Sequence, residues 1–471
     1  MNMKSNKPSI SSLFNSLPAL LLVIVINAGC NKMIDVELPA GTFNTDITFK
    51  DDGSAHTAMR GIYASMMNVL GTGPFSGGLS GNLGLSSDEL IRSTYSADQQ
   101  LFLDNNLNAE VSSNLSSLWA PFYNYIYQAN NIYVNVEKST GITAPVKDQL
   151  TGEARFIRAL CYFYLVNLYD SVPLALATDY RTNNLLSRSG PEKIYAQILE
   201  DLQYAQQKIG FAFTAQGTRL RPNHYTVAAL LARVHLYRKS WAEAEAAATT
   251  VIAAGHYILD SLNGVFQTNS RETILSVGNA GSNIYTSEGG RITGSGAGNT
   301  QFRLSDYFIN EFEANDQRKV KWTRTGGGGI APFKYKTFSN TQTGAKPEST
   351  VIMRLAEQFL IRAEARAQQD KLTEAIADLD SLRNRAGLPL IAVTNPSISK
   401  DDLLQAIYHE RMVELFSELG HRWFDVIRTG QANTIFKARK PGWKEGISVL
   451  YPIPASERQF NPNLTQNKGY E

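Results

Sequence analysis

Apolar positions recur at helical spacing along most of the chain. In "TVIMRLAEQFLIRAEARAQQ" (350–369), Ile352, Leu355, Ala356, Phe359, Leu360, Ala363 and Ala367 follow i, i+3, i+4, i+7 spacing, which predicts one long amphipathic helix. "DKLTEAIADLDSLRNRAGLP" (370–389) then supplies a turn, a second amphipathic helix and a Gly-Leu-Pro stop. An earlier pair, "RPNHYTVAALLARVHLYRKS" followed by "WAEAEAAATTVIAAGHY", repeats the plan. Aligning Trp241 with Leu372 places Ala232 on Ala363, Glu243 on Glu374 and Ala244 on Ala375. In each pair two alanines stand 12 residues apart, one per helix. Small residues there let antiparallel helices approach closely, and the spacing is that of tetratricopeptide (TPR) repeats. Alanine replaces the classical glycine of the first helix, so the repeats are degenerate.

A third pair is predicted from "QLTGEARFIRALCYFYLVNLYD" (149–170) and "PEKIYAQILEDLQYAQQKI" (191–209), with Pro173 ending the first helix. A fourth is "DDLLQAIYHERMVELFSEL" (401–419), closed by Gly420, then "HRWFDVIRTG". Residues 51–70 and 115–138 also read as helices. Residues 258–348 differ: "VGNAGSNIYTSEGGRITGSGAGNT" and "RTGGGG" carry weak helix signals, so a long irregular insert rides on a helical scaffold. Such segments are disproportionately functional. The predicted class is mostly α, with TPR-like pairs over about 149–257 and 350–430 in a single domain spanning 51–471.

The N-terminus follows another pattern. Lys4 and Lys7 precede "ALLLVIVI" (19–26), an apolar run far short of the roughly 20 residues that span a bilayer. Ala28 and Gly29 then lead to Cys30. A positive start, a short apolar core and small residues describe a secretory signal, and the Cys at its end resembles a bacterial lipobox, although Asn27 stands where Leu is preferred. Residues 1–29 are therefore expected to be a lipoprotein signal peptide, Cys30 the lipid attachment, and 30–50 an extended tether. Acyl chains on Cys30 would anchor the protein durably, since each buried methylene adds about 0.8 kcal/mol.

Composition narrows the functions. The 471 residues are 43% hydrophobic and 19% charged, with a net charge of +2, which gives no reason to expect a nucleic-acid partner. The only other cysteine, Cys161, lies in an apolar helical stretch and reads as a buried inert thiol. The six histidines show no paired metal spacing. No G-x-S-x-G elbow or phosphate loop occurs, and "GSGAG" follows no apolar strand. Adjacent acids such as Asp88 and Glu89 are a very weak catalytic signal. Neither an enzyme nor a cofactor is expected.

Five blocks together resemble one family, the SusD/RagB-like outer-membrane lipoproteins of Bacteroidetes. They are "EARFIRALCYFYLVNLYDSVPL", "ALLARVHLYRKSWAEAEAAATTVIAAGHY", "RLAEQFLIRAEARAQQ", "HERMVELFSELGHRWFDVIRTG" and "YPIPASERQFNPNLTQNKGY", in family order behind a lipobox. Lys468 stands where the closing block usually has proline; "SSDEL" (86–90) is the best match further upstream. The resemblance implies a SusD-like helical fold on the outer cell surface. It also implies a SusC-like TonB-dependent β-barrel transporter as partner, with a captured oligosaccharide, or in some branches a peptide, as cargo and no catalysis. A TPR envelope adaptor without a small ligand is the alternative of a different class.

Candidate ligand residues follow from chemistry and location. Neutral sugars offer hydroxyls for hydrogen bonds and C–H faces that stack on aromatic rings. Residues 81–100 mix such groups in Asn82, Asp88, Arg92 and Tyr95; residues 284–324 do so in Tyr285, Arg291, Arg303 and Trp322. Trp322 leads, because a tryptophan flanked by Lys321 and Arg324 before four glycines reads as a loop residue. "HRWFDVIRTG" reads instead as a packing motif, with Trp423 buried and Arg422 paired with Asp425 at the helix surface.

Overall fold

Helices dominate the computed structural model, which describes residues 48–471 except 68–71, 111–112, 214–217, 280–281, 295–299 and 327. Cys30, the signal peptide and nearly all of the tether lie outside the described residues. Residues Phe49–Glu471 form one unit, and no helix among the described residues is long and apolar enough to cross a membrane. The main helices are α1 (Asp52–Met66), α2 (Ala97–Asp104), α3 (Ser113–Lys138), α4 (Ala144–Tyr169), α5 (Pro191–Lys208) and α6 (His224–Tyr237). They continue with α7 (Trp241–Ala253), α8 (Ser287–Thr293), α9 (Leu355–Gln368), α10 (Leu372–Ala386), α11 (Lys400–Glu414) and α12 (His421–Arg428).

Local sequence sets their ends. Asp51 caps α1 through a capping box with Ser54, and Asn223 caps α6 in the same way with Thr226. Helix α4 packs against both α3 and α5 and is buried almost continuously from Leu150 to Tyr169, with Cys161 among the buried residues. Burial pushes the Cys161 thiol well above its usual range. The expected pairs form as α4/α5, α6/α7 and α9/α10. Ala232 and Ala244 are buried in one cluster with Ala248, Ile361 and Ala365, so the close approach of α6 and α7 extends to α9. Ala363 and Ala375 share a second cluster with Leu360, Leu379, Leu403 and Ile407, which carries the stack on to α11.

The helix predicted from Thr350 begins only at Leu355. Thr350–Arg354 is a buried strand, antiparallel to Thr273–Val277, and Arg354 in extended conformation caps α9. The β-branched Thr350, Val351 and Ile352 suit a strand better than a helix, and their partner strand comes from the insert. The insert itself is more regular than its composition suggests. Thr323–Gly326 pairs with Gly329–Pro332, so two of the insert's strands form a hairpin, and Gly328 takes a φ of +80°. Another insert strand, Phe302–Leu304, pairs with Leu90–Arg92.

Buried charges fasten insert to scaffold. Glu414 of α11 accepts from Arg354 at 2.6 Å, from Arg318 at 3.0 Å and from Arg385. Arg354 also meets Glu418 at 2.7 Å and Glu272 at 2.8 Å, and Lys334 bonds Glu418 at 2.5 Å. Burial opposes ionisation of Glu414, but Arg385, Arg354 and Arg318 outweigh it and hold the carboxyl far below the usual carboxylate range. Burial draws the Lys334 ammonium down to about 8. Bidentate pairs pin neighbouring helices similarly: Arg158–Asp201 joins α4 to α5, Arg233–Glu357 joins α6 to α9, and Arg428–Glu364 joins α12 to α9.

Arg354→Ala would take one cation from each of three buried carboxylates, leaving Glu272 to Arg385, Glu414 to Arg318 and Arg385, and Glu418 to Lys334. Removing one partner of a buried ion pair costs about 3–5 kcal/mol, so urea denaturation of this variant should show a loss of that order. A loss under about 1 kcal/mol, the range of exposed pairs, would contradict the clamp.

Candidate functional site

The first candidate segment opens with an unusual turn. Leu79–Leu83 forms a π-helix, a geometry often found at functional positions, and buries Ser80 and Asn82. Two glycines allow it. Gly77 adopts φ +97°, and a Cβ there would lie 2.5 Å from Arg291 Cδ; a Cβ on Gly81 would lie 2.9 Å from the Phe302 ring. Arg291, on α8, therefore lies flat against the turn and donates from Nη2 to Asn82 Oδ1 at 3.2 Å. Ser80 donates to Glu288, also on α8, and accepts from the Leu419 N–H at 2.7 Å.

The surrounding polar atoms are incompletely paired. Asn82 Nδ2, Arg291 Nε, Glu288 Oε2 and Asp98 Oδ1 are all buried without a hydrogen-bond partner among the described residues. Asp98, in the first turn of α2, accepts on its other oxygen from Ser113 Oγ at 3.0 Å and the Asn114 N–H at 3.1 Å. Its charge and that of Glu288 both act on Arg291, which burial nonetheless draws below its usual range. Burial pushes Glu288 up to about 7 against the hydrogen bond from Ser80 and the charge of Arg291. Buried donors and acceptors left open at one place are a costly arrangement in a finished core.

Aromatic and cationic groups flank this cluster. Tyr95 is 75% exposed, and the Arg92 guanidinium lies 4.7 Å from its ring centroid. Arg92 is held by Gln100 at 2.6 Å, and Gln100 by Asp104 at 2.7 Å. Strand pairing puts Arg303 opposite Ile91, on the face of the ladder away from Arg92, where its Nη1 donates to the Gly328 carbonyl at 3.0 Å. Arg92 and Tyr95 thus lie together, Arg303 stands on the other face of the ladder, and the π-helical turn brings Asn82 and Arg291 together. Tyr285 is half-buried, and no hydrogen bond or ring contact joins it to these groups among the described residues. No cluster of metal-ligating residues occurs among the described residues.

Besides Asn82 and Arg291, two more expected ligand residues are buried, these with their polar groups paired. Trp322 is 0% exposed, its Nε1–H donates to the Leu262 carbonyl at 2.6 Å, and Phe266 and Phe416 pack on it. Lys334, Arg354 and Arg385 surround its ring at 4.5, 5.8 and 5.8 Å. The flanking charges suggested a surface loop, but this tryptophan roofs the buried ion cluster as a cation–π partner. Asp88 is likewise buried, in a bidentate pair with Arg422 at 2.8 and 2.7 Å. That pair replaces the expected Arg422–Asp425 contact: Asp425 takes Arg411 and Arg428, each at 2.8 Å. "HRWFDVIRTG" is a packing motif, with Trp423 stacked on Phe436 and burial holding His421 down to about 4. Ser80, Asp98 and Glu288 escaped the sequence reading. The available signal for Glu288 was the helix start "TSEGG", where Thr286 caps α8.

Comparison with known proteins covers the same segments. A family model described as "Starch-binding associating with outer membrane" matches residues 79–236, starting at the π-helical turn, and one described as "SusD family" matches residues 276–470. A SusD-like protein of Formosa agariphila is 23% identical over 94% of this chain and 96% of its own length. The starch-binding protein SusD of Bacteroides thetaiotaomicron is 23% identical over 71% of this chain and 75% of its own. A solved laminarin-binding SusD-like protein has a TM-score of 0.73 at 25% identity, covering 90% of this chain and 100% of that one. A SusD superfamily protein of Bacteroides vulgatus shares the fold with a TM-score of 0.76 at 21% identity, over 89% of this chain and 99% of its own.

Two outcomes follow from the geometry. Trp322→Ala should cost about 3–5 kcal/mol of stability as a core truncation, read as a fall in melting temperature; unchanged melting would return Trp322 to the surface. Glu288 ionises near 4.5 when unfolded and about 7 when folded. Between those values the folded state holds the extra proton, so the group's contribution is complete below about 4.5 and lost as pH rises through 7. Glu288→Gln should therefore be more stable than the parent at pH 8, by on the order of 3 kcal/mol, and lose most of that advantage at pH 5. A difference independent of pH would contradict the assignment.

Proposed function

The chain belongs to the SusD/RagB-like family, and from that premise we propose that it is a non-catalytic lipoprotein of the outer cell surface that captures a neutral oligosaccharide. In this reading it delivers the glycan to a SusC-like TonB-dependent β-barrel, and lipid on Cys30 holds it at the membrane. The observation that carries the proposal is the cluster at the π-helical turn. Asn82, Arg291, Glu288 and Asp98 keep unpaired buried atoms beside one another, and Tyr95 stands exposed nearby. A sugar supplies what this face lacks: hydroxyls that both donate and accept, and a C–H face for the Tyr95 ring. The laminarin-binding and starch-binding relatives support a glycan as the cargo.

Binding without chemistry fits the same groups. Glu288 is tied to Ser80 through one oxygen and Asp98 to Ser113 and Asn114 through one, and each keeps its other oxygen for a hydroxyl donor. Arg92 steadies Tyr95 from one side and leaves the rest of the ring to solvent.

Calorimetric titration of the protein starting at Asn31, with laminarihexaose, maltoheptaose and a set of short peptides, tests the cargo. One glycan is expected to bind with micromolar to millimolar affinity, weakened about tenfold by Tyr95→Ala, the scale of one lost aromatic contact. Response to peptides alone would replace the glycan reading. Cys30→Ser in cells should move the protein from the membrane to the soluble fraction; retention would remove the lipid anchor from the account.

A further inference from the structure

A groove of about 220 Å³ lies between α3, the segment following Pro173 and the C-terminal residues 457–464. None of the candidate residues discussed above lines it. Its floor is Trp119 and Tyr123, which are fixed in place: Trp119 meets Tyr169 edge-on at 4.7 Å, and the Tyr123 hydroxyl donates to the Pro173 carbonyl at 2.9 Å. Around this floor stand three large aromatics the fold leaves in water. Tyr127 is 47% exposed, Tyr180 63% and Phe460 78%. Single exposed aromatics are ordinary, but three bordering one concavity mark a binding surface.

The polar groups of the groove divide into two sets. Asn183 donates to the Ala177 carbonyl and Asn461 to the Leu186 carbonyl, each at 2.9 Å, which holds the walls. The side chains of Glu457 and Asn184 make no hydrogen bond among the described residues, and burial raises the Glu457 carboxyl above its ordinary value. No lysine or arginine lines the groove. Asn184 is exposed and Glu457 half-buried, so both keep polar atoms open to a bound molecule. A polyol with two C–H faces satisfies both the rings and the polar pair.

Helix α3 links this groove to the first face. Its Asn114 N–H bonds Asp98, and Tyr123 follows nine residues later, roughly 14 Å along the helix axis. Nine residues also carry the chain to the opposite side of α3, so the groove is a place apart from the first face.

We propose that the groove is a second sugar-binding site, taking one hexopyranose unit of a neutral oligosaccharide by stacking on Tyr180 and Phe460 and by hydrogen bonds from its hydroxyls to Glu457 and Asn184. The proposal rests on the glycan reading of the protein. It assigns this chain two contact points for its cargo, with the groove able to hold a sugar unit independently of the Tyr95 face.

Amide hydrogen exchange with millimolar laminarihexaose and, separately, maltoheptaose separates the two sites. With one of these glycans, peptides covering 119–130, 177–186 and 455–464 should gain protection in the parent and in a Tyr95→Ala/Arg92→Ala variant. Tyr180→Ala/Phe460→Ala should weaken that protection by at least about tenfold in glycan concentration while leaving protection over 92–98 and 287–304 unchanged. Both rings are exposed, so their removal spares the core. Protection confined to 92–98 and 287–304 would overturn the second site and leave the first. Protection of the groove alone would uphold it and overturn the first. Protection by a lysine-rich peptide but neither glycan, or none with any probe, would overturn the sugar assignment.

Discussion

Everything on the loop-rich side depends on the charges buried around Glu414. The insert supplies Arg318, Lys334 and Glu272; the scaffold supplies Arg354, Arg385, Glu410, Glu414 and Glu418. Bringing so many ions out of water is expensive, and the cluster is tolerable only because each oxygen finds a partner. That requirement gives the clamp specificity. The insert can seat on the helix pairs in one way, and Trp322 closes the roof only when it does. The Arg354 that terminates a strand and caps α9 is the same residue that bridges three carboxylates.

The contrast between this cluster and the candidate ligand face is chemical. Around Glu414, opposite charges meet at short distances, and the Glu414 and Glu418 carboxyls are held below their ordinary range against burial by Arg354 and its neighbouring cations. Around Glu288, donors and acceptors remain open, and the carboxyl is pushed up to about 7. One arrangement is finished by the protein itself. The other keeps buried polar atoms open, and the hydroxyls of the proposed glycan would complete it without adding charge. The family supplies a scaffold, and function resides in such local sites rather than in the fold.

Much of the scaffold was legible because it is local. Two alanines 12 residues apart imply a close helix pair, and Ala232 with Ala244, and Ala363 with Ala375, share buried clusters as that spacing requires. What escaped the sequence is set by distant partners. Thr350–Arg354 fits a helical stripe as well as a strand until Thr273–Val277 arrives to pair with it. Asp88 has its partner at Arg422 and Ser80 its partner at Glu288, across 334 and 208 residues of chain. The segments carrying the candidate face were therefore visible, while the division of their residues between ligand face and core was not. Trp322 shows why: its charged neighbours point to solvent, yet its burial is decided by cations from elsewhere.

The central claim is that a glycan settles beside Tyr95. Its most direct test is fluorine NMR of the protein labelled with 3-fluorotyrosine, with the Tyr95 signal assigned by its loss in Tyr95→Phe. Titration with laminarihexaose or maltoheptaose should shift that signal saturably. A glycan that binds while the Tyr95 signal stays fixed, or the absence of binding by either sugar, would contradict the account.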